Sequence, residues 1–144
     1  VETFCQALVD GNANRIEQLF TEYLTKTISV RDTFVRKPVK ENFYHGILLG
    51  ILSYKGGWYV TSNRESGDGF SDIMVRIDDE DVGIIIEVKY AENGKEEEMS
   101  RKALLQIHEK HYEKVLLDED IHKVMNYGIA CNKKKCKVSM EISE

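Results

Sequence analysis

The stretch Gly83-Ile84-Ile85-Ile86-Glu87-Val88-Lys89-Tyr90 decides the fold. Its first half is apolar at consecutive positions, as in a central strand covered by helices on both faces. Two charges then follow in alternation, Glu87 and Lys89, and the two-residue period of a strand puts them on the same side of the sheet. A charge near a core is costly to bury alone, so such groups are normally paired or bind a metal. Just upstream, Ser71–Ile77 reads as another strand, joined to the first by the acidic turn Asp78-Asp79-Glu80-Asp81. With Ile77 opposite Val82 in an antiparallel hairpin, Asp72 falls directly across from Glu87, their Cβ atoms about 4.5–5.5 Å apart. Two carboxylates that close repel unless a cation or a proton joins them. Mg²⁺ suits them, being a hard ion bound by one or two carboxylates, waters and phosphate oxygens.

Working outward, Trp58–Arg64 is a third strand, separated from Ser71–Ile77 by Ser66-Gly67-Asp68-Gly69. Residues 39–54 form an amphipathic helix whose stripe includes Leu48, Leu49 and Leu52, ending before Gly56-Gly57. Glu41 and His45 are one turn apart on that same inward face, where they could reach the metal site or the substrate. Glu96–Leu117 reads as one long helix with Ala103, Leu104, Ile107, His111 and Val115 on or near one face, its acidic start matching the positive end of the helix dipole. Gln106 flanks that stripe, placed to contact phosphate or hold a ligand of the metal. Two strands, Lys123–Cys131 and Cys136–Ile142, close the chain around a Lys133-Lys134-Lys135 turn.

Ahead of Pro38, residues 2–9 and 12–28 read as helices and Ser29–Arg36 as extended. Proline suits a first helical turn and disfavours helix before it, which sets the boundary at Lys37-Pro38. The expected organisation is a helical lead-in over 1–37, the tail of an upstream domain, and an α/β domain with a mixed central sheet over 38–144.

With 144 residues and 42% hydrophobic content, the chain suffices for one domain with a real core. Charged residues make up 31%, and no apolar run nears the roughly 20 residues that span a bilayer. Three cysteines, Cys5, Cys131 and Cys136, form no C-x-x-C pair, which points away from a disulfide framework and to a reducing, cytoplasmic compartment. Their spacing relative to His108 and His111 fits no standard zinc site. The net charge of −5 speaks against a broad basic surface for nucleic acid. Its acid is concentrated in short runs at 78–81, 96–98 and 118–120.

Glu41 on a helix, Asp72 after a Gly-rich turn, Glu87-Val88-Lys89 on the next long strand and Gln106 on the following helix together resemble the PD-(D/E)XK nuclease superfamily. The strings KENFYHGILLG, SNRESGDGFSDI, IIIEVKYAE and ALLQIHEKHY look like its bacterial branch in which the domain follows an AAA-ATPase-like module. The resemblance implies a restriction-endonuclease-like αβββαβ core and hydrolysis of phosphodiester bonds, with DNA as the expected substrate. It implies Mg²⁺, replaceable by Mn²⁺, on Asp72, Glu87 and the Val88 carbonyl, with Glu41 as a further ligand. Lys89 would orient and help deprotonate the attacking water, and Gln106 and Tyr112 would assist. Ser71 stands where the motif often has Pro, Phe70 where related sequences often have Arg, and Lys110 where some branches place a Tyr four residues after the Gln.

Plainer readings stand beside these. Asp72, Glu87 and Lys89 could be an ion-pair cluster at a sheet end, Glu41 a first-turn carboxylate stabilised by the helix dipole, His45 a satisfied core histidine and Gln106 a stripe-edge polar residue. Lys133–Lys135 and Lys137 could touch a nucleic-acid backbone but read first as a solvated turn, and Trp58 and Tyr59 read as core. The functional rival is a module of the same fold that cleaves weakly or not at all and binds nucleic acid or regulates an attached ATPase.

Overall fold

The computed structural model describes residues 1–27, 37–64 and 71–144. Helices α1 (Glu2–Asp10), α2 (Ala13–Thr27) and α3 (Lys37–Ser53) precede strands β1 (Tyr59–Arg64), β2 (Ser71–Ile77) and β3 (Val82–Tyr90). Helices α4 (Glu96–Lys110) and α5 (Tyr112–Asp118) then lead to β4 (Lys123–Asn132) and β5 (Lys135–Ser143). The five strands form one sheet in the order β1-β2-β3-β4-β5. β2 runs antiparallel to both β1 and β3, β3 and β4 are parallel, and β5 returns antiparallel to β4. This mixed sheet, with a helix before its three-stranded meander and helices in the β3–β4 crossover, is the restriction-endonuclease-like arrangement expected from the sequence.

β3 is central, and its composition explains why. Every side chain from Val82 to Val88 is buried, and alternation sends them to two different cores. Ile84, Ile86 and Val88 join a large cluster with residues of α1, α2 and α3, such as Leu8, Phe20 and Leu48. Ile85 enters a smaller one with Ile107, Leu116, Ile121 and Val124. Each such aliphatic side chain withdrawn from water stabilises the fold by about 1.5–3 kcal/mol.

The two leading helices share the main core rather than standing off from it: Phe4, Leu8, Ile16, Phe20 and Leu24 belong to the same cluster as Tyr127 and Val138. Polar ties reinforce the packing. Tyr127 Oη donates to the Leu8 carbonyl, and the Val138 N–H donates to Glu17 Oε1 at 3.0 Å.

On the opposite face α4 rests directly on β4 at Gly128. A Cβ there would stand 2.1 Å from the Ser100 carbonyl oxygen and 2.6 Å from the Leu104 nitrogen, so only glycine lets the helix approach this closely. α5 uses a milder version of the same device, because a Cβ at Gly83 would meet Leu116 Cδ1 at 2.7 Å.

Three expectations need correction. The helix expected over Glu96–Leu117 is broken at His111, whose φ of 57° ends α4. Histidine is among the residues that enter the left-handed region with less strain, and the bend brings Leu116 into the second core. Val115, placed on the apolar face by the unbroken-helix reading, is 47% exposed as a result. Tyr59, expected in the core, is 65% exposed, while Trp58 does pack against the main cluster. Ser29–Arg36, the Ser66–Gly69 turn and Phe70 lie outside the described residues.

His108 ties the broken helix together. Its Nε2 lies 2.9 Å from Glu141 Oε2 on β5, and its Nδ1 lies 3.4 Å from Glu113 Oε1 on α5. Burial disfavours its charged form, but hydrogen bonds to Glu141 and Glu113 more than offset this and raise its pKa above the ordinary 6.5. A raised folded-state pKa stabilises the protein fully below pH 6.5, and the contribution is lost as pH climbs through the raised value. Following the His108 ring resonances by NMR against pH should give a midpoint above 6.5 in the native chain and a lower one in Glu141→Gln. Identical midpoints would show that the bridge does not form in solution.

Candidate active site

The site forms where β2 enters the sheet and β3 leaves it. The β2–β3 register places Ile77 opposite Val82 and Asp72 opposite Glu87, so the two carboxylates meet on the α4 side of the sheet. Both are deeply buried, Asp72 at 1% and Glu87 at 2% exposure. Like charges about 5 Å apart at an effective dielectric near 20 repel by roughly 3 kcal/mol, which a nearby cation or a shared proton relieves.

A cation is there. Lys110, the last residue of α4, brings its Nζ to 2.8 Å from Glu87 Oε1 and 4.0 Å from Asp72 Oδ2. Its ammonium also lies 5.9 Å from the centre of the Tyr112 ring, just beyond the break at His111. Sequence reasoning set Lys110 aside as a departure from a tyrosine position. The signal was nevertheless present, since Lys110 follows Gln106 by four residues and therefore shares its face of the helix.

Of the other candidates, Lys89, Gln106 and Tyr112 lie on the α4 side of the sheet with this pair, while Glu41 and His45 belong to α3 on the other side. Lys89 is half-buried and projects on the same face of β3 as Glu87. Gln106 is half-buried one turn before Lys110, and Tyr112 is half-buried at the start of α5. Glu41 is buried at 3% exposure, and its Oε1 accepts the Tyr90 backbone N–H at 3.1 Å, beyond the last register pair of β2 with β3. His45 is buried beside it on α3, with Nε2 2.9 Å from Ser62 Oγ on β1.

Residues 39–141 match the PD-(D/E)XK nuclease superfamily. The chain belongs to this superfamily. No curated protein and no solved structure matches the chain. Nucleases of the PD-(D/E)XK superfamily generally depend on a divalent metal, and the residues here offer part of a site for one. Asp72 and Glu87 offer hard oxygen donors at facing positions, and Glu87 Oε2 is buried without a hydrogen-bond partner among the described residues. No three His, Cys, Asp or Glu side chains among the described residues converge closely enough to hold an ion together, so Glu41 stands apart from the facing pair.

The cysteines take no part. All three are free and buried. Burial raises the Cys136 thiol to about 11 and Cys131 well above its ordinary value, so both are neutral and weakly nucleophilic near pH 7.

Proposed function

We propose that this PD-(D/E)XK domain hydrolyses phosphodiester bonds of nucleic acid, DNA foremost, with Asp72, Glu87 and Lys89 as its catalytic residues. The observation that carries the reading is the burial of Asp72 directly opposite Glu87 with a cation already drawn to them. Asp72, Glu87 and the Val88 carbonyl would hold Mg²⁺, or Mn²⁺ in its place, and Glu41, which stands apart from the facing pair, would contribute through water. The bound ion supplies Lewis-acid polarisation of the phosphate and lowers the pKa of bound water. Lys89 orients the attacking water beside Glu87, and its positive charge favours loss of that water's proton to solvent. Gln106, Tyr112 and His45 steady the phosphate and the side chains around it.

The resemblance of the quoted strings further suggests an AAA-ATPase-like module upstream, with residues 1–37 as its tail and 38–144 as the nuclease-like domain, in a cytoplasmic protein. Among the described residues, no helix is long and apolar enough to cross a membrane. A second reading, a weakly cleaving module that regulates such an ATPase, draws support from Lys110. An ammonium at 2.8 Å from Glu87 competes for the place a metal would take.

Titrating Mn²⁺ while following thermal unfolding and plasmid nicking separates the two. At a hundredfold excess over the dissociation constant, binding stabilises by about 2.7 kcal/mol, a rise in Tm of roughly 5–10 °C for a chain of this size. The nuclease reading expects that rise together with nicking. Tighter Mn²⁺ binding in Lys110→Met without nicking in either protein would favour the regulatory reading, and no rise in Tm for either protein would sink both.

A further inference from the structure

The C-terminal ends of β3 and β4 lie side by side, with Tyr90 in register with Cys131. A cavity of about 670 Å³ opens just beyond them, walled by Tyr90, Asn93 and Asn132 and rimmed by Lys133, Lys134 and Lys135. Glu92 also lines it, leaving positive charge in excess locally although the chain as a whole carries −5. Its volume suits one nucleotide-sized ligand, and the carboxyl ends of strands in open α/β sheets are where ligands commonly bind.

The lysines sit on a fixed support, unlike those of a loose solvated turn. Asn132 pairs with Lys135 across a two-residue hairpin loop, and Lys133 adopts φ 52° within it. Tyr44 Oη, reaching from α3, donates to the Lys133 carbonyl at 2.7 Å. Asn132 Nδ2 donates to the Ala91 carbonyl at 2.7 Å and to Tyr90 Oη at 3.3 Å, locking the two strand ends together. Bonds from α3 and from the end of β3 therefore fix the backbone of the turn that carries the lysines before any ligand arrives, which reduces the ordering cost of binding.

Position relates the cavity to the carboxylates. Tyr90 follows Glu87 by three residues, about 10 Å along a strand rising 3.3 Å per residue, and this odd spacing turns it to the α3 side while Glu87 faces α4, so the two places meet around the C-terminal edge of β3. That separation is a step or two along an extended nucleic-acid strand. A base in a duplex is stacked and paired and presents no free face to such a cavity, whereas an unpaired base can enter and stack on an aromatic ring.

We propose that this cavity is a subsite for one nucleotide of a single-stranded nucleic acid: Lys133–Lys135 hold its phosphates, and Tyr90 with the Asn93 amide receives the base. The inference rests on the nuclease reading, in that the bound nucleotide flanks the bond to be cut. The substrate is then a single strand, or a single-stranded end or flap next to duplex.

The test is binding of a short fluorescent oligothymidylate, in EDTA so that cleavage plays no part, to the full chain and to a variant with Lys133, Lys134 and Lys135 all replaced by Ala. These side chains lie at the rim, so the variant should fold, and its circular dichroism and Tm check that it does. The native chain should bind the single strand more tightly than a duplex. The variant should lose roughly tenfold in affinity, and its slope of log K against log salt should fall by about 2, since each phosphate contact on a single strand contributes about 0.7.

Equal loss of duplex and single-strand binding, or an unchanged salt slope, overturns the subsite. Adenosine monophosphate binding as tightly as the oligonucleotide also overturns it, in favour of a free-nucleotide site. Metal-dependent nicking by a native chain whose strand binding ignores the lysines defeats the subsite alone. Lysine-dependent strand binding without nicking defeats the cleavage reading alone.

Discussion

Glu87→Gln is expected to lose metal-dependent nicking by about a thousandfold or more while folding as stably as the native chain without metal. The activity arm follows from the metal's role, since polarisation by a bound ion is worth several kcal/mol in the transition state and each 1.4 kcal/mol is tenfold in rate. The stability arm follows from the geometry. Glutamine keeps the shape of Glu87 while removing one of two buried like charges. It can still accept a hydrogen bond from Lys110, which lies 2.8 Å from Glu87 Oε1 and 4.0 Å from Asp72. Lys110 is itself partly exposed, so its ammonium can turn toward water instead of remaining a buried, uncompensated charge. Stopped nicking, a lost Mn²⁺-induced rise in Tm and an unchanged metal-free Tm would together confirm the reading. Undiminished nicking by the variant would place the chemistry elsewhere, and a collapsed metal-free Tm would make Glu87 a structural residue first.

The pairing that makes this prediction possible was legible in the sequence because every step was local. A short acidic turn between two apolar runs fixes the hairpin, and a period of two fixes the faces, so Asp72 could be placed opposite Glu87 from counting alone. Lys110 was missed for the opposite reason. Its face was readable from Gln106 four residues before it, but its reach to Glu87 depends on how α4 lies across β3, which no local pattern sets. Just after it, His111 supplies a turn with a positive φ that ordinary propensity does not anticipate. Glu41 was legible as an inward carboxylate, but its partner is the Tyr90 amide, a backbone group with no sequence signature. The tri-lysine turn gave the same difficulty. Its anchors, Tyr44 and the Ala91 carbonyl, are far away in the chain, so composition alone favours a solvated loop over a contact to nucleic acid.

Gly128 carries the largest stability prediction, because it decides whether α4 can lie against β4 at all. In Gly128→Ala the added methyl would overlap backbone atoms, the Ser100 oxygen at 2.1 Å and the Leu104 nitrogen at 2.6 Å, with the Ala103 Cβ at 3.1 Å. A side-chain end could swing away, but a helix backbone moves only as a unit, and moving α4 separates Ala103 and Ile107 from the sheet. Overpacking in a close-fitted core typically costs about 1–3 kcal/mol, and a clash with backbone belongs at or above the top of that range. For a chain of this size the loss corresponds to a fall in Tm of roughly 10 °C or more. The shift should also reach the active site, since Lys110 ends the same helix and its hold on Glu87 depends on where that helix lies. Metal affinity in Gly128→Ala should therefore change well below its Tm, while a variant at exposed Gly50, where a Cβ meets nothing within 4 Å, should leave both stability and affinity essentially as they are. A Gly128→Ala protein with native Tm would mean that α4 does not pack on β4 at this distance, and the position assigned to Lys110 would fall with it.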